Sequence, residues 1–181
     1  MGANDITDKG VYRLGETLGI GSTDGAPPCQ LVSVSLYNNK ISDTGCHTLA
    51  LALKNNVCLG HIDLAGNSIT CAGAKELAGV LMETQSLREV VLAYNLIRDE
   101  GANALVTAVE QNRKIIKLEL GGNHFSRKIM GRLEKALREN SKLHELEKLR
   151  ERNAQVVHNP KPSTFNPKPL PLNMHVFNAK P

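Results

Sequence analysis

Apolar residues return along this chain at one fixed interval. Leu31, Leu59, Leu87, Ile115 and Leu143 stand 28 residues apart. The same string surrounds the first four: LVSVSLYNNKI from Leu31, LGHIDLAGNSI from Leu59, LREVVLAYNLI from Leu87 and IIKLELGGNHF from Ile115. Apolar residues fill positions 1, 4, 6 and 11 of each string and Asn fills position 9. The alternation around Val34 and Leu36 has the period of a half-buried strand. Downstream, Leu49 and Leu53, Leu77 and Leu81, Leu105 and Val109, and Leu133 and Leu137 form i, i+4 pairs. Each pair predicts a helix with one apolar stripe. Asp43, Gly45, Gly73, Asp99 and Gly101 mark the strand-to-helix turns. The helices are predicted to close near Asn56, Asn112 and Asn140, residues that tolerate a left-handed end. The column Asn39, Asn67, Asn95 and Asn123 is structural in this reading. A buried carboxamide satisfies backbone groups released where the chain leaves the strand, which would otherwise be costly.

The string LxxLxLxxNxI, its 28-residue period and the full helix resemble the leucine-rich repeats of the ribonuclease-inhibitor type, over Leu31 to Asn140. The resemblance implies an α/β fold: a short curved leucine-rich-repeat solenoid with parallel strands on the concave face and helices on the convex face. No unit of such an array is stable without its neighbours. Residues 1–30 read as an incomplete N-terminal repeat and a Gly/Pro loop, 31–140 as four repeats, 141–157 as a C-terminal cap and 158–181 as an extended Pro/Lys tail.

Both ends depart from the pattern. Asn4, Ile6, Asp8 and Gly10 match Asn39, Ile41, Asp43 and Gly45, so the chain opens partway through a unit. The surplus spacing lies in Gly19–Pro28, a Gly/Pro loop. That arrangement leaves the edge of the Leu31 strand to be covered by this loop, or by another chain or copy. At the other end, Leu143, Leu146 and Leu149 read as a capping strand-turn or an amphipathic helix laid over Leu133 and Leu137. From His158 the composition changes. Asn-Pro-Lys-Pro occurs at residues 159–162 and again at 166–169. Proline bars helix, so the tail is extended. It is either a solubilising spacer or a docking peptide anchored by Phe165, Leu170, Leu172, Met174, Val176 and Phe177.

Composition narrows the function. Aromatics are 3% with no Trp, so the core is aliphatic. Residues 1–140 balance 15 Lys and Arg against 15 Asp and Glu, and the whole of the +4 net charge falls in residues 141–181. A nucleic-acid footprint over the whole domain is more lopsided than this, which makes nucleic acid an unlikely partner class. Cys29, Cys46, Cys58 and Cys71 form no CxxC pair and read as reduced thiols, with Cys46 and Cys71 buried near helix starts. No signal peptide or membrane-length apolar run is present, which predicts a cytoplasmic protein.

No motif selects a catalytic centre, a cofactor site or a metal site. The Gly19–Gly25 stretch has neither dinucleotide nor phosphate-loop spacing, and the six His form no zinc pattern. The strand alternation places Ser33, His61, Glu89 and Lys117 in one concave column, and Ser35, Asp63, Val91 and Glu119 in the next. A third column of small residues, Ala65, Ala93 and Gly121, is flanked by Tyr37 and Tyr94 as interface anchors. The expectation is a non-catalytic protein-binding scaffold, a subunit of a larger cytoplasmic assembly of ciliary or other cytoskeletal kind. Two alternatives stand beside it. One is a regulator of a small GTPase, although activators of this repeat type are longer and carry acidic tails. The other is a truncated ligand-sensing repeat region of an immune receptor.

Overall fold

The computed structural model describes residues 4–19 and 30–158. The chain divides into two compact units, Met1–Glu147 and Lys148–Pro181. The second is described only as the last turns of a helix, up to residue 158. Among the described residues nine elements alternate: α1 (Asp8–Gly19), β1 (Ser33–Ser35), α2 (Asp43–Lys54), β2 (His61–Asp63), α3 (Cys71–Glu83), β3 (Glu89–Val91), α4 (Asp99–Gln111), β4 (Lys117–Glu119) and α5 (Arg127–His158). The strands form one parallel sheet in chain order. Their register is Ser33 to His61 to Glu89 to Lys117, and Ser35 to Asp63 to Val91 to Glu119. Residues 28 apart are therefore equivalent rungs of a short solenoid.

The core follows the repeat. Leu59, Leu87 and Ile115 are at most 1% exposed, as are Ile62 and Val90, while Leu36, Leu64, Leu92 and Leu120 form the next buried column. Ile41, Ile69 and Ile97 are fully buried, and Leu49, Leu77, Leu105 and Leu133 supply the helix side. Fully burying one such side chain is worth about 1.5–3 kcal/mol, and each does so only against its neighbours in adjacent rungs.

Three ladders of polar side chains tie one rung to the next. In the first, Asn95 is 2% exposed. Its amide nitrogen donates to the carbonyls of Leu64 and Leu92 at 3.0 and 3.1 Å, and its oxygen accepts the N–H of Ile69 at 3.0 Å. Asn67 and Asn123 repeat the pattern toward Ile41 and Ile97. Asn39 extends it toward Ile6 and Asn4. In the second, helix-start carboxylates reach the next rung. Asp8 accepts the N–H groups of Ser42 and Gly45, and Asp43 accepts those of Thr70 and Gly73. In the third, Asn112 donates to the carbonyls of Leu81 and Thr84, and Asn140 to those of Val109 and Ile115.

The helix ends differ from the expected left-handed caps. Asn112 has φ −96°, and Asn56 and Asn140 are absent from the positive-φ residues. At the end of α4 the Val109 carbonyl is taken by the Asn140 side chain of the following rung, and at the end of α2 the Leu53 carbonyl accepts the N–H groups of Asn55 and Asn56. Asn140 does not end a helix at all, because α5 runs through it. The fifth strand at Leu143 does not form. Residues 141–152 are Leu, Lys, Glu and Arg almost throughout, with no Gly or Pro to break the helix, and these are strong helix formers. Leu143 and Leu146 therefore lie further along the helix that carries Leu133 and Leu137 and do not cover them. Leu146 is 52% exposed. The last rung is closed by the start of α5, through Ile129, Leu133 and Ala136.

Of the cysteines, Cys46 is buried and Cys58 and Cys71 are half-buried, and all three are free thiols. Cys71 is thus more open than the sequence implied. Cys29, residues 20–28 of the Gly/Pro loop and the tail anchors Phe165 to Phe177 lie outside the described residues.

Candidate functional site

Each strand turns alternate side chains to the two faces of the sheet. Val34, Ile62, Val90 and Leu118 point into the core, so their neighbours form the open strand face. The structure brings together both columns read from the sequence. Ser33 is exposed, while His61, Glu89 and Lys117 are half-buried. Ser35 and Glu119 are exposed, while Asp63 and Val91 are half-buried.

The polar groups are already engaged with one another, two pairs across neighbouring strands and one along β4. His61 Nδ1 lies 3.4 Å from Glu89 Oε2. The Ser35 hydroxyl donates to Asp63 Oδ2 at 3.2 Å. Lys117 Nζ lies 3.0 Å from Glu119 Oε1. That hydrogen bond, and then the charge of Glu119 with smaller contributions from Glu89 and Asp63, hold the Lys117 ammonium above its ordinary pKa. These are pairs on an open sheet face. Among the described residues, no group of three or more His, Cys, Asp or Glu side chains is placed to hold a metal ion.

Just past the strands the chain turns back through a left-handed residue in every rung: Asn38 (φ 54°), Gly66 (φ 66°), Tyr94 (φ 54°) and Gly122 (φ 72°). Two rungs use glycine, which adopts this conformation freely, and one uses Asn, which tolerates it. Tyr94 does neither. It is 71% exposed, and its ring lies against the backbone of Gly122, where a Cβ would collide with the ring. Tyr37 is 48% exposed on the first rung. Between the tyrosines the floor is made by Ala65 and Ala93, both buried, with Gly121 open beyond them.

Sequence reasoning found Tyr94 as an anchor and missed its strain. The signal was available as a column at 28-residue spacing, Asn38, Gly66, Tyr94 and Gly122, in which a lone aromatic stands among turn residues. It also missed the bonding role of Asp43 and Asp99, which it read only as turn residues. A second surface, on the helix side, is a shallow groove between α1 and α2 beside Tyr12, Gly15, Thr48 and Leu51.

A sequence profile described as Leucine Rich repeat matches residues 84–106. The sequence matches no curated protein. Among solved structures, leiomodin-1, titled actin-binding site 2, is 19% identical with a TM-score of 0.72, over 85% of this chain and 86% of that one. The tropomodulin C-terminal domain of Caenorhabditis elegans is also 19% identical, with a TM-score of 0.51, over 77% of this chain and 98% of that one. At this identity the likeness is one of fold. With the period, the Asn ladder and the parallel sheet in order, it defines the class: the chain is a leucine-rich-repeat protein.

Proposed function

We propose that the protein is a non-catalytic scaffold that binds another protein on its strand face, within a larger cytoplasmic assembly of cytoskeletal kind. One observation carries this reading. Tyr94 is held in a left-handed conformation that costs a non-glycine residue roughly 1–2 kcal/mol, at a position where the adjacent rungs carry Gly66 and Gly122. Folding alone has no use for it, since 71% of the residue stays exposed. A strained, exposed aromatic beside an open floor is the kind of residue that anchors an interface. The partner-contacting set is Ser33, Ser35, Tyr37, His61, Asp63, Glu89, Val91, Tyr94, Lys117 and Glu119. The tail residues Phe165, Leu170, Leu172, Met174, Val176 and Phe177 form a second docking element.

The fold likeness to a leiomodin-1 domain titled as an actin-binding site makes actin the first partner to test. Co-sedimentation of the full chain with actin filaments, and with microtubules as the comparison polymer, is the experiment. We expect the wild type to pellet with one polymer and the folded Tyr94→Gly variant to remain in the supernatant. Equal pelleting of both proteins would remove the strand face from the reading.

A further inference from the structure

β1 is the outermost strand of the sheet, and no described strand lies on its outer side. The core column registers this. Leu31 is 42% exposed, whereas its equivalents Leu59, Leu87 and Ile115 are 0%, 1% and 0%. Val34 is half-buried where Ile62 and Val90 are each 1% exposed.

The backbone shows what would fit. Inward-facing residues donate to the following strand: Leu36 N–H to the Asp63 carbonyl, Leu64 to Val91 and Leu92 to Glu119, at 2.7–2.8 Å. Outward-facing residues meet the preceding strand, as His61 N–H does at the Val32 carbonyl. In β1 the groups of this second kind, the Ser33 N–H and the Ser35 carbonyl, have no described partner. A parallel strand added there must obey a stereochemical rule. The residues that turn apolar side chains into the core are the ones whose N–H and C=O turn toward β1. Their neighbours turn both groups away.

Residues 169–177, which lie outside the described part, read Pro-Leu-Pro-Leu-Asn-Met-His-Val-Phe. Leu170, Leu172, Met174 and Val176 alternate with the period of a strand. Pro169 and Pro171 both fall on positions whose missing N–H would face away from β1, where an edge strand tolerates proline. The stretch Gly19–Pro28 fails the same rule. Ile20 is its one large apolar residue, and the adjacent Pro27 and Pro28 remove a donor on each side.

We propose that Leu170–Val176 of a second copy adds as a parallel strand to the outer edge of β1, so that the protein self-associates by exchanging tails. The inference rests on the reading that this protein works by holding polypeptide. It commits to one guest, and reciprocal exchange closes the pair around a two-fold axis.

Light scattering of the full-length chain over a concentration series tests it. The expected mass rises from one chain of 19.7 kDa toward two. Leu172→Pro removes an N–H that faces β1, and the dissociation constant is expected to rise roughly tenfold or more. Asn173→Pro removes an N–H that faces away and is expected to leave association unchanged. Ser33→Pro, which deletes the receiving donor, is expected to match Leu172→Pro with its circular dichroism unaltered. A single-chain mass at every concentration overturns the proposal, as does an equal effect of Leu172→Pro and Asn173→Pro. Both tail substitutions lie outside the solenoid, so the test stands even if Ser33→Pro unfolds. Tyr94, on the third rung, is remote from this edge. Loss of actin or microtubule binding in Tyr94→Gly with no self-association, or the reverse, separates failure of this inference from failure of the scaffold reading.

Discussion

Arg98 presents its backbone N–H to Cys71 Sγ at 3.4 Å, in the rung where the ladder of helix-start carboxylates is interrupted. One rung earlier, Asp43 accepts the Thr70 N–H at 2.8 Å and the Thr70 hydroxyl at 2.6 Å. One rung later, Asp99 accepts the Ser126 N–H at 2.7 Å. The two departures go together. Where Asp gives way to Cys71, the Ser or Thr it would have held gives way to Arg98, and α4 has no side-chain cap. A thiol is a weak acceptor, and a hydroxyl facing it would gain little.

Restoring that rung should stabilise the fold. Cys71→Asp with Arg98→Ser supplies a carboxylate, a hydroxyl and an N-cap at once, by analogy with Asp43 and Thr70. Caps and charged hydrogen bonds of this kind are worth about 1–2 kcal/mol each. The double variant is expected to gain about 1–2 kcal/mol in urea unfolding, and more than the sum of the single variants, because each group needs the other. Strict additivity would show that the ladder contributes only through separate contacts.

Asn95 is the most buried of the Asn ladder residues that cross two rung boundaries. Replacing it with Leu orphans the N–H of Ile69 in an apolar core, while the carbonyls of Leu64 and Leu92 each lose one of two side-chain donors and keep Asn67 and Asn123. One orphaned buried group costs about 1–3 kcal/mol and a lost hydrogen bond about 0.5–1.5 kcal/mol, so Asn95→Leu is expected to lose about 2–4 kcal/mol. Asn123→Leu should lose less. It makes the same bonds to Ile97 and Leu92 but is only half-buried, so water can replace part of what is removed. Equal losses at the two sites would argue that burial does not set the cost.

The solenoid was legible in the sequence because its cause is local and repeated. Leu59 and Leu87 share a periodic string, and the 28-residue spacing alone aligns their strands. The Asn column was legible for the same reason. The end of the array was not. The choice between a fifth strand and a continued helix at Leu143 depends on whether anything after Asn140 breaks the helix, and apolar spacing does not report that. The strain at Tyr94 was legible only from its column, Asn38, Gly66, Tyr94 and Gly122, because the strand-to-turn geometry common to all four rungs sets φ whatever the residue type. The strand-face columns followed from alternation. What they bind does not, because an open face of paired charges leaves the guest unspecified.

Cys46 links burial to alkaline stability. Burial, reinforced by the nearby charges of Asp43 and then Asp8, pushes its thiol from 9.0 up to about 12. Below the unfolded value both states are protonated, and the full stability is present. Between that value and about 12 the unfolded chain ionises while the folded chain does not, so stability falls as pH rises. The expected slope from this group is about 1.4 kcal/mol per pH unit inside the window. The difference in unfolding free energy between wild type and Cys46→Ala should therefore shrink with pH above 9.0 and stay constant below it. A pH-independent difference would show that the thiol ionises freely in the fold. In the native protein near neutral pH, a thiol reagent should modify Cys58 and Cys71 well before Cys46.

Tyr94 and Gly122 make the last test, because each explains the other. Tyr94→Gly relieves the left-handed strain, roughly 1–2 kcal/mol, but adds unfolded-state freedom of similar size. Its effect on stability is therefore expected within about 1 kcal/mol of zero, small for the loss of an aromatic side chain. Gly122→Ala faces two penalties: an unfavourable φ of 72° and a Cβ driven into the Tyr94 ring. It is expected to cost about 2–3 kcal/mol in the wild type. With Tyr94→Gly already in place the collision is gone and only the backbone penalty remains, about 1 kcal/mol. Chemical unfolding of the two single variants and the double variant measures the coupling directly. A coupling of about 1 kcal/mol or more means that glycine at 122 is there to seat the Tyr94 ring on the strand-exit rim, whereas simple additivity would mean that the ring has no fixed seat.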